Sequence, residues 1–282
     1  MKVIGLLGNA GAGKDTVAEM ITGRHPVHLD GVWVNVRELA PPPTPVEPLR
    51  ERAAQIALAD PLKEYARTVY DFSVTQLWGP SSARNAGDPR YPKTCSSCKG
   101  AGLCAHPYGQ DDHVDLACIQ CSGLSEEPWT ARRGVKGTGV VHLSPREALQ
   151  KLGTEWGRTC WDMTWLSFGL RRARTFLETT RAVPALGSSR ASFVLERTSL
   201  VVVSDLRFVN EAREIRAAGG EVWSIVRPEL DTSGAMYTHQ SEREQKEKSF
   251  ELRRLVSRTI MNDGTRDDLK SRVRAALAAA DL

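Results

Sequence analysis

Val3-Ile4-Gly5-Leu6-Leu7-Gly8-Asn9-Ala10-Gly11-Ala12-Gly13-Lys14-Asp15-Thr16-Val17-Ala18-Glu19-Met20-Ile21 runs from an apolar segment through a glycine-rich turn into a second mostly apolar segment. That order reads as strand, loop, helix. The spacing G-x-x-x-x-G-K from Gly8 to Lys14 is that of a phosphate-binding loop. In such a loop backbone N–H groups and the helix N-terminus wrap an anion while the lysine reaches the outer phosphates. Gly8, Gly11 and Gly13 admit positive φ and a close backbone approach, with Asn9, Ala10 and Ala12 between them. The residue after the lysine is usually Ser or Thr, whose hydroxyl binds Mg²⁺. Here it is Asp15, followed by Thr16. Either Thr16 or Asp15 (through water) serves the metal, and Asp15 also suits the positive end of the helix.

The chain has 282 residues, enough for one large α/β domain with insertions or for two domains. Apolar content of 41% and charged content of 26% are ordinary for a globular protein. A net charge of only +4 does not call for a general polyanion partner. No apolar run has the length to span a membrane. The first segment reads as a core strand rather than a signal peptide. The expected location is the cytoplasm, where clustered cysteines are read as metal ligands before disulfides.

Residues 23–50 change character. Val32-Trp33-Val34-Asn35-Val36 reads as a short strand, but the prolines at 41–43 and 45 can join neither a helix nor a central strand. This region is expected to be a surface loop or local insertion. Gln55-Ile56-Ala57-Leu58-Ala59 reads as a second core strand, and Asp60-Pro61 starts a helix with proline in its first turn. Lys63 then falls just past a strand's carboxyl end, where open α/β sheets bind ligands. Arg84 lies in a polar loop over 81–90.

Cys95-Ser96-Ser97-Cys98 and Cys118-Ile119-Gln120-Cys121 form two C-x-x-C pairs about twenty residues apart, a spacing that brings four thiolates around Zn²⁺. Cys104, His106 and His113 lie between them as spare ligands. No open ligand position is implied, so the expected role is structural, tying down an insertion too small for its own core. Disulfides are the main alternative. A redox pair is disfavoured because neither C-x-x-C stands at a strand–helix junction. Asp111, Asp112 and Asp115 argue against nucleic acid contact there.

Ser144-Pro145-Arg146-Glu147 predicts a capping box with proline at the first helical position. Leu149, Leu152, Trp156, Cys160 and Met163 fall at helical spacing and predict a buried stripe. Arg146, Gln150, Gly153, Thr154 and Gly157 make a second face. Two glycines there disfavour a helix unless something flat or bulky lies against the backbone. Leu200-Val201-Val202-Val203-Ser204 is a buried strand ending at Asp205, the position where phosphate-loop enzymes orient Mg²⁺. Arg207 follows, and Asn210-Glu211-Ala212 begins a helix. Strands at 2–7, 55–59, 200–204, 222–226 and 259–261 alternating with helices imply a parallel sheet of about five strands covered on both faces.

Five blocks occur in order: the glycine loop with its Gly13-Lys14-Asp15-Thr16 ending, Ala59-Asp60-Pro61-Leu62-Lys63, Ser144-Pro145-Arg146 through Gln150-Lys151-Leu152-Gly153-Thr154-Glu155, Ser204-Asp205-Leu206-Arg207-Phe208 through Asn210-Glu211-Ala212, and His239-Gln240-Ser241-Glu242. Together they resemble the phage-type deoxynucleoside monophosphate kinases. The resemblance covers most of the chain outside 23–50, 92–140 and 180–198. It implies the P-loop NTPase fold for a kinase core over 1–91 and 141–282; the zinc-ribbon-like insertion over 92–140 and the proline-rich loop over 23–50 lie outside it. It implies phosphoryl transfer from ATP with Mg²⁺ to a deoxynucleoside 5′-monophosphate, in the host cytoplasm if the chain is phage-encoded, and it leaves a homodimer open. Lys14 would hold the moving phosphate. Lys63, Arg84 and Arg146 would meet the acceptor phosphate or transition-state charge. Gln150, Gly153, Thr154 and Trp165 would line base and sugar. Asp205, Arg207 and Glu211 would complete the site, with Ser241 near the substrate. The cysteine block and the proline loop depart from the compact family pattern. The rival readings are another small-molecule kinase of the same fold, and a nucleotide-switched binding module that docks through its zinc segment.

Overall fold

The computed structural model describes residues 2–23, 25–30, 32–36, 47–101, 103–105, 115–118, 121, 138–184, 193–228 and 249–282. The proline run, His106, His113, His239 and Ser241 lie outside the described residues.

The elements in chain order begin with β1 (Val3–Leu7), α1 (Lys14–Thr22), β2 (Pro26–Leu29), β3 (Val32–Asn35), β4 (Ala53–Ile56) and α2 (Asp60–Tyr70). Short elements follow: α3 (Val74–Trp78), α4 (Ser81–Asn85), β5 (Pro92–Thr94), β6 (Leu103–Ala105), β7 (Asp115–Ala117), β8 (Val140–His142) and α5 (Pro145–Gln150). A π-helical stretch (Lys151–Arg158) continues α5, leading to α6 (Thr164–Glu178), β9 (Thr180–Pro184), β10 (Phe193–Arg197) and β11 (Leu200–Leu206). The last elements are α7 (Val209–Ala217), β12 (Glu221–Val226), α8 (Ser249–Leu255), β13 (Arg258–Met261) and α9 (Arg266–Ala279). They divide into two compact units, Met1–Tyr65 with Leu152–Leu282, and Ala66–Lys151.

The first unit is built on a five-stranded sheet, order β13-β12-β1-β11-β4, in which every pair is parallel. Its central strands read as unbroken apolar runs because both faces are covered, as a parallel sheet requires. Ile4, Leu6, Val202, Trp223 and Ile225 face α1 and α9 through Val17, Met20, Ile21, Leu269 and Val273. Val3, Leu7, Ile56, Val201 and Val203 face α6, α7 and α8 through Leu166, Phe176, Ala212, Ile215 and Leu252. Gly5 permits the pairing of β1 with β11, since a Cβ there would lie 2.2 Å from Leu206 Cδ1. The five expected core strands are thus present, with ends shifted by a few residues. The short strand expected at 32–36 is β3, which pairs with β2 in a separate antiparallel hairpin.

The second unit has its own small core of Ala66, Phe72, Leu77 and Ala148, with Tyr70, Trp78 and Tyr91 packed on it. It extends past residues 92–140 to take in α3, α4 and α5. Asp88, nearly buried, accepts from Arg90 and Gln76, and these bonds hold its carboxyl well below the usual range.

The helix after Ser144 departs from the periodicity in its sequence. Ser144 Oγ accepts from Glu147 N as expected, but the Glu147 carboxylate turns to Lys93 and Lys151 rather than closing a capping box. From Lys151 the backbone widens to π-helical geometry, so a 3.6-residue stripe no longer keeps to one face. The expected buried stripe fails for this reason: Trp156 is 61% exposed and Cys160 is exposed, while Gly153 and Gly157 are buried. The flat group against the glycines is Trp165. Its Nε1 donates to Gly153 O at 2.8 Å, and a Cβ on Gly157 would lie 2.2 Å from Trp165 Cζ2.

Gly157→Ala therefore sets a helix-propensity gain of about 0.5–1 kcal/mol against an overpacking loss of about 1–3 kcal/mol. A net destabilisation is expected in urea denaturation, and Trp165→Ala in the same chain should relieve part of it. Equal midpoints for the parent and Gly157→Ala proteins would refute the close contact.

Candidate functional site

The glycine loop leaves β1 at the carboxyl edge of the sheet. Gly8, Gly11 and Gly13 take φ of 150°, 79° and 99°, conformations that suit glycine. A Cβ on Gly8 would lie 2.5 Å from Ile225 O, so the loop is pressed against the end of β12. Asn262, just past β13, donates from Nδ2 to Ala12 O at 2.9 Å and from its backbone to Val226 O. Lys14 Nζ bonds the carbonyls of Gly8 and Asn9, curling the side chain over its own loop. Gly13 caps α1 without a side-chain acceptor, and its carbonyl accepts from Val17 N at 2.9 Å. Thr16 is half-buried and Asp15 exposed. Beside them Thr16, Arg227, Asn262, Asp263, Gly264 and Arg266 line a cavity of about 240 Å³.

The neighbouring strand brings the second group. Leu7 pairs with Leu206, so the loop begins level with the place where β11 delivers Asp205 and Arg207. The Asp205 carboxylate accepts from Leu58 N at 2.7 Å and Ala59 N at 3.1 Å, joining the end of β11 to the chain leaving β4. Each oxygen keeps a further lone pair. Burial pushes the Asp205 carboxyl up, and nearby Asp60 adds to this. The Leu58 N–H and the charges of Arg207 and Lys63 act the other way. Asp60 is fully buried, accepts from Ala57 N, and meets His25 Nε2 at 2.9 Å and Lys63 Nζ at 4.0 Å. Burial alone would raise it, but His25, Lys63 and Arg172 hold its carboxyl well below the usual range.

Glu211 looks inward. It is 4% exposed, accepts from Arg207 N at 2.8 Å and Phe208 N at 3.1 Å, and pairs with Arg158 at 3.4 Å. Arg158 also lies 3.6 Å above the Phe208 ring. The Glu211 carboxylate thereby fixes the turn that presents Arg207, whose side chain is exposed. Burial, with some help from Asp205, pushes Glu211 up to about 7 against these donors.

The structure thus brings Lys63, Asp205, Arg207 and Glu211 into one electrostatic neighbourhood. Thr154 is half-buried in the π-helical stretch, while Gly153 and Trp165 bond each other. Arg84, Arg146 and Gln150 belong to the second unit. There Arg146 lies in the first turn of α5. Arg84 Nη2 donates to Ser81 Oγ, and Arg84 Nε is buried with no partner among the described residues. Sequence reasoning missed His25, Arg158 and Asn262 as supports of the site. His25 sits in a stretch without local pattern, and Arg158 and Asn262 reach their partners only through the fold.

The second unit also holds the cysteines. The Sγ atoms of Cys95, Cys98, Cys118 and Cys121 all lie within 4.8 Å of one another, and all four residues are buried. Cys95 to Cys118 is 3.6 Å and Cys98 to Cys121 is 3.7 Å, far beyond the roughly 2.05 Å of a disulfide. Burial pushes the Cys121 thiol up, as four packed thiols resist ionisation unless a cation joins them. Such a set can hold a metal ion such as zinc. Cys104 lies in β6. No helix of the described residues is long and apolar enough to cross a membrane.

Comparison with protein-family models finds no match, and comparison with curated proteins finds none either.

The Glu211 environment has a measurable pH signature. Its folded-state value lies above its ordinary 4.5, so proton binding favours the folded chain. That contribution is fully present below about pH 4.5 and is lost as pH rises through about 7. Glu211→Gln should therefore gain stability relative to the parent between pH 5 and 8, read from urea midpoints. A pH-independent difference would refute the assignment.

Proposed function

We propose that the chain transfers a phosphoryl group from ATP to a deoxynucleoside 5′-monophosphate. One observation carries the reading: the glycine loop after β1 and the Asp205–Arg207 segment that ends β11 emerge side by side at the carboxyl edge of a parallel sheet. The helices that follow them, α1 and α7, pack on opposite faces. That is the switch point where open α/β sheets take their ligands. Phosphoryl transfer asks for positioning and positive charge rather than a covalent nucleophile. Lys14 and the loop N–H groups supply a cradle for a polyphosphate, and Arg207 and Lys63 supply charge for a second phosphate beside it. Arg84 and Arg146, with Gln150 and Thr154 toward the base and sugar, are proposed as acceptor contacts.

Mg²⁺ supplies charge neutralisation between the phosphates when bound. The half-buried Thr16 hydroxyl beside the 240 Å³ cavity suits that role better than the exposed Asp15. Asp205 fits the task of orienting the ion or its waters through its remaining lone pairs. A phosphate monoester is nucleophilic near neutral pH, so no strong base is required of the chain.

The test is ADP release with each of the four deoxynucleoside monophosphates. At least one should be turned over. Lys14→Ala should lower that rate by at least about 10²-fold with an unchanged unfolding midpoint. No turnover with any of the four removes the acceptor class, and full turnover by Lys14→Ala removes the loop from the chemistry.

We assign Zn²⁺ to the four thiols. Zn–S bonds of about 2.3 Å set tetrahedral S···S edges of roughly 3.8 Å, close to the 3.6 and 3.7 Å observed. Elemental analysis should find one zinc per chain. Cys98→Ser should release it and lower the stability of the unit 66–151, and purified protein without bound metal would overturn the assignment.

A further inference from the structure

A second cleft opens at the other end of the same sheet. It measures about 540 Å³, more than twice the cavity beside the glycine loop, and falls within the roughly 300–1,000 Å³ of small-ligand pockets. Four cations line it, Lys2, Arg52, Arg174 and Arg197, against one carboxylate, Glu178. Lys2 precedes β1 and Arg52 precedes β4, so the cleft lies at the amino-terminal edge of the sheet, away from the loop 8–16. Arg174 comes from the last turns of α6, whose Leu177 adds an apolar wall.

All four cations are exposed along the cleft; the guanidinium of one is held by the fold and the backbone of a second is pinned. Arg197 Nε donates to the Leu177 carbonyl, which fixes its guanidinium and meets the electronegative C-terminal end of α6. The Arg52 carbonyl accepts from Ser199 N at 2.7 Å and Ser199 Oγ at 3.1 Å, pinning the start of β4 to the start of β11. Among the described residues no ion pair engages Lys2, Arg52 or Arg174. Three guanidinium forks in one concavity match the oxygens of phosphates, which they bind in bidentate fashion. A net charge of only +4 for the chain, with these cations gathered into a pocket, favours a small ligand over a nucleic acid strand.

We propose that this cleft binds a small polyphosphorylated anion of nucleotide size, at a site distinct from the glycine loop. Inorganic tripolyphosphate is the probe, titrated calorimetrically into the full-length Lys14→Ala chain so that the loop's contribution is weakened. One tripolyphosphate should bind, more weakly as salt rises. Arg52→Glu with Arg174→Glu should reduce the affinity tenfold or more. The milder Arg52→Ala with Arg174→Ala pair should reduce it in the same direction with an unchanged circular dichroism spectrum, since only the Arg52 carbonyl holds Ser199. Equal affinity in either pair, no binding to the Lys14→Ala chain, or binding of a single-stranded oligonucleotide where tripolyphosphate does not bind would each overturn the proposal. The readout is binding at Arg52 and Arg174, so it stands or falls separately from the phosphoryl-transfer reading.

Discussion

Parallel pairing of β1 with β11 and β12 is the constraint on which the first unit depends. Strands that run the same way must deliver all their carboxyl ends to one edge and must hide both faces under helices. The unbroken apolar character of Val201-Val202-Val203, the two cores on either side of the sheet and the crowding of polar groups beyond Leu7 and Leu206 follow from it. So does the choice of glycine at position 5, where a neighbouring leucine occupies the space a side chain would need.

Around that edge the polar groups hold one another in place. Asp205 bonds the backbone leaving β4, Asp60 bonds the backbone at Ala57 and the ring of His25, and Glu211 bonds the backbone of Arg207 and Phe208. Buried carboxylates of this kind are costly unless satisfied. Here each is spent on main-chain donors, which converts three acidic side chains into braces for the loops that carry Lys63 and Arg207. The opposed tendencies of Asp60, held acidic, and Glu211, pushed toward neutrality, come from their partners. Asp60 faces cations at close range, whereas Glu211 has one arginine and lies near another carboxylate.

Much of this arrangement was legible in the residues. The five core strands could be read because buried parallel strands are apolar throughout, and the glycine loop because its spacing answers to a backbone conformation. The two C-x-x-C pairs were legible since ligand spacing reflects the geometry of a shared centre. The helix after Ser144 was not. Its leucines and tryptophan keep an α-helical period on paper, yet the backbone is π-helical there, and Trp156 turns to solvent while two glycines turn inward to Trp165. A widened turn leaves no mark in periodicity, because the signal presupposes 3.6 residues per turn. His25 escaped for a different reason: its partner Asp60 is 35 residues away in sequence, and nothing local announces the pairing.

The antiparallel pairing of β5 with β8 places Pro92 opposite His142. Residues so paired have Cα atoms on the order of 5 Å apart. The chain that departs at Pro92 thus returns beside itself at His142, a narrow neck with the four sulfurs just beyond it. The ladder and the thiols close that neck together, one through backbone hydrogen bonds and the other through ligand atoms poised around a shared point. The distance between the two ends is therefore set at the neck rather than by the length of chain between them.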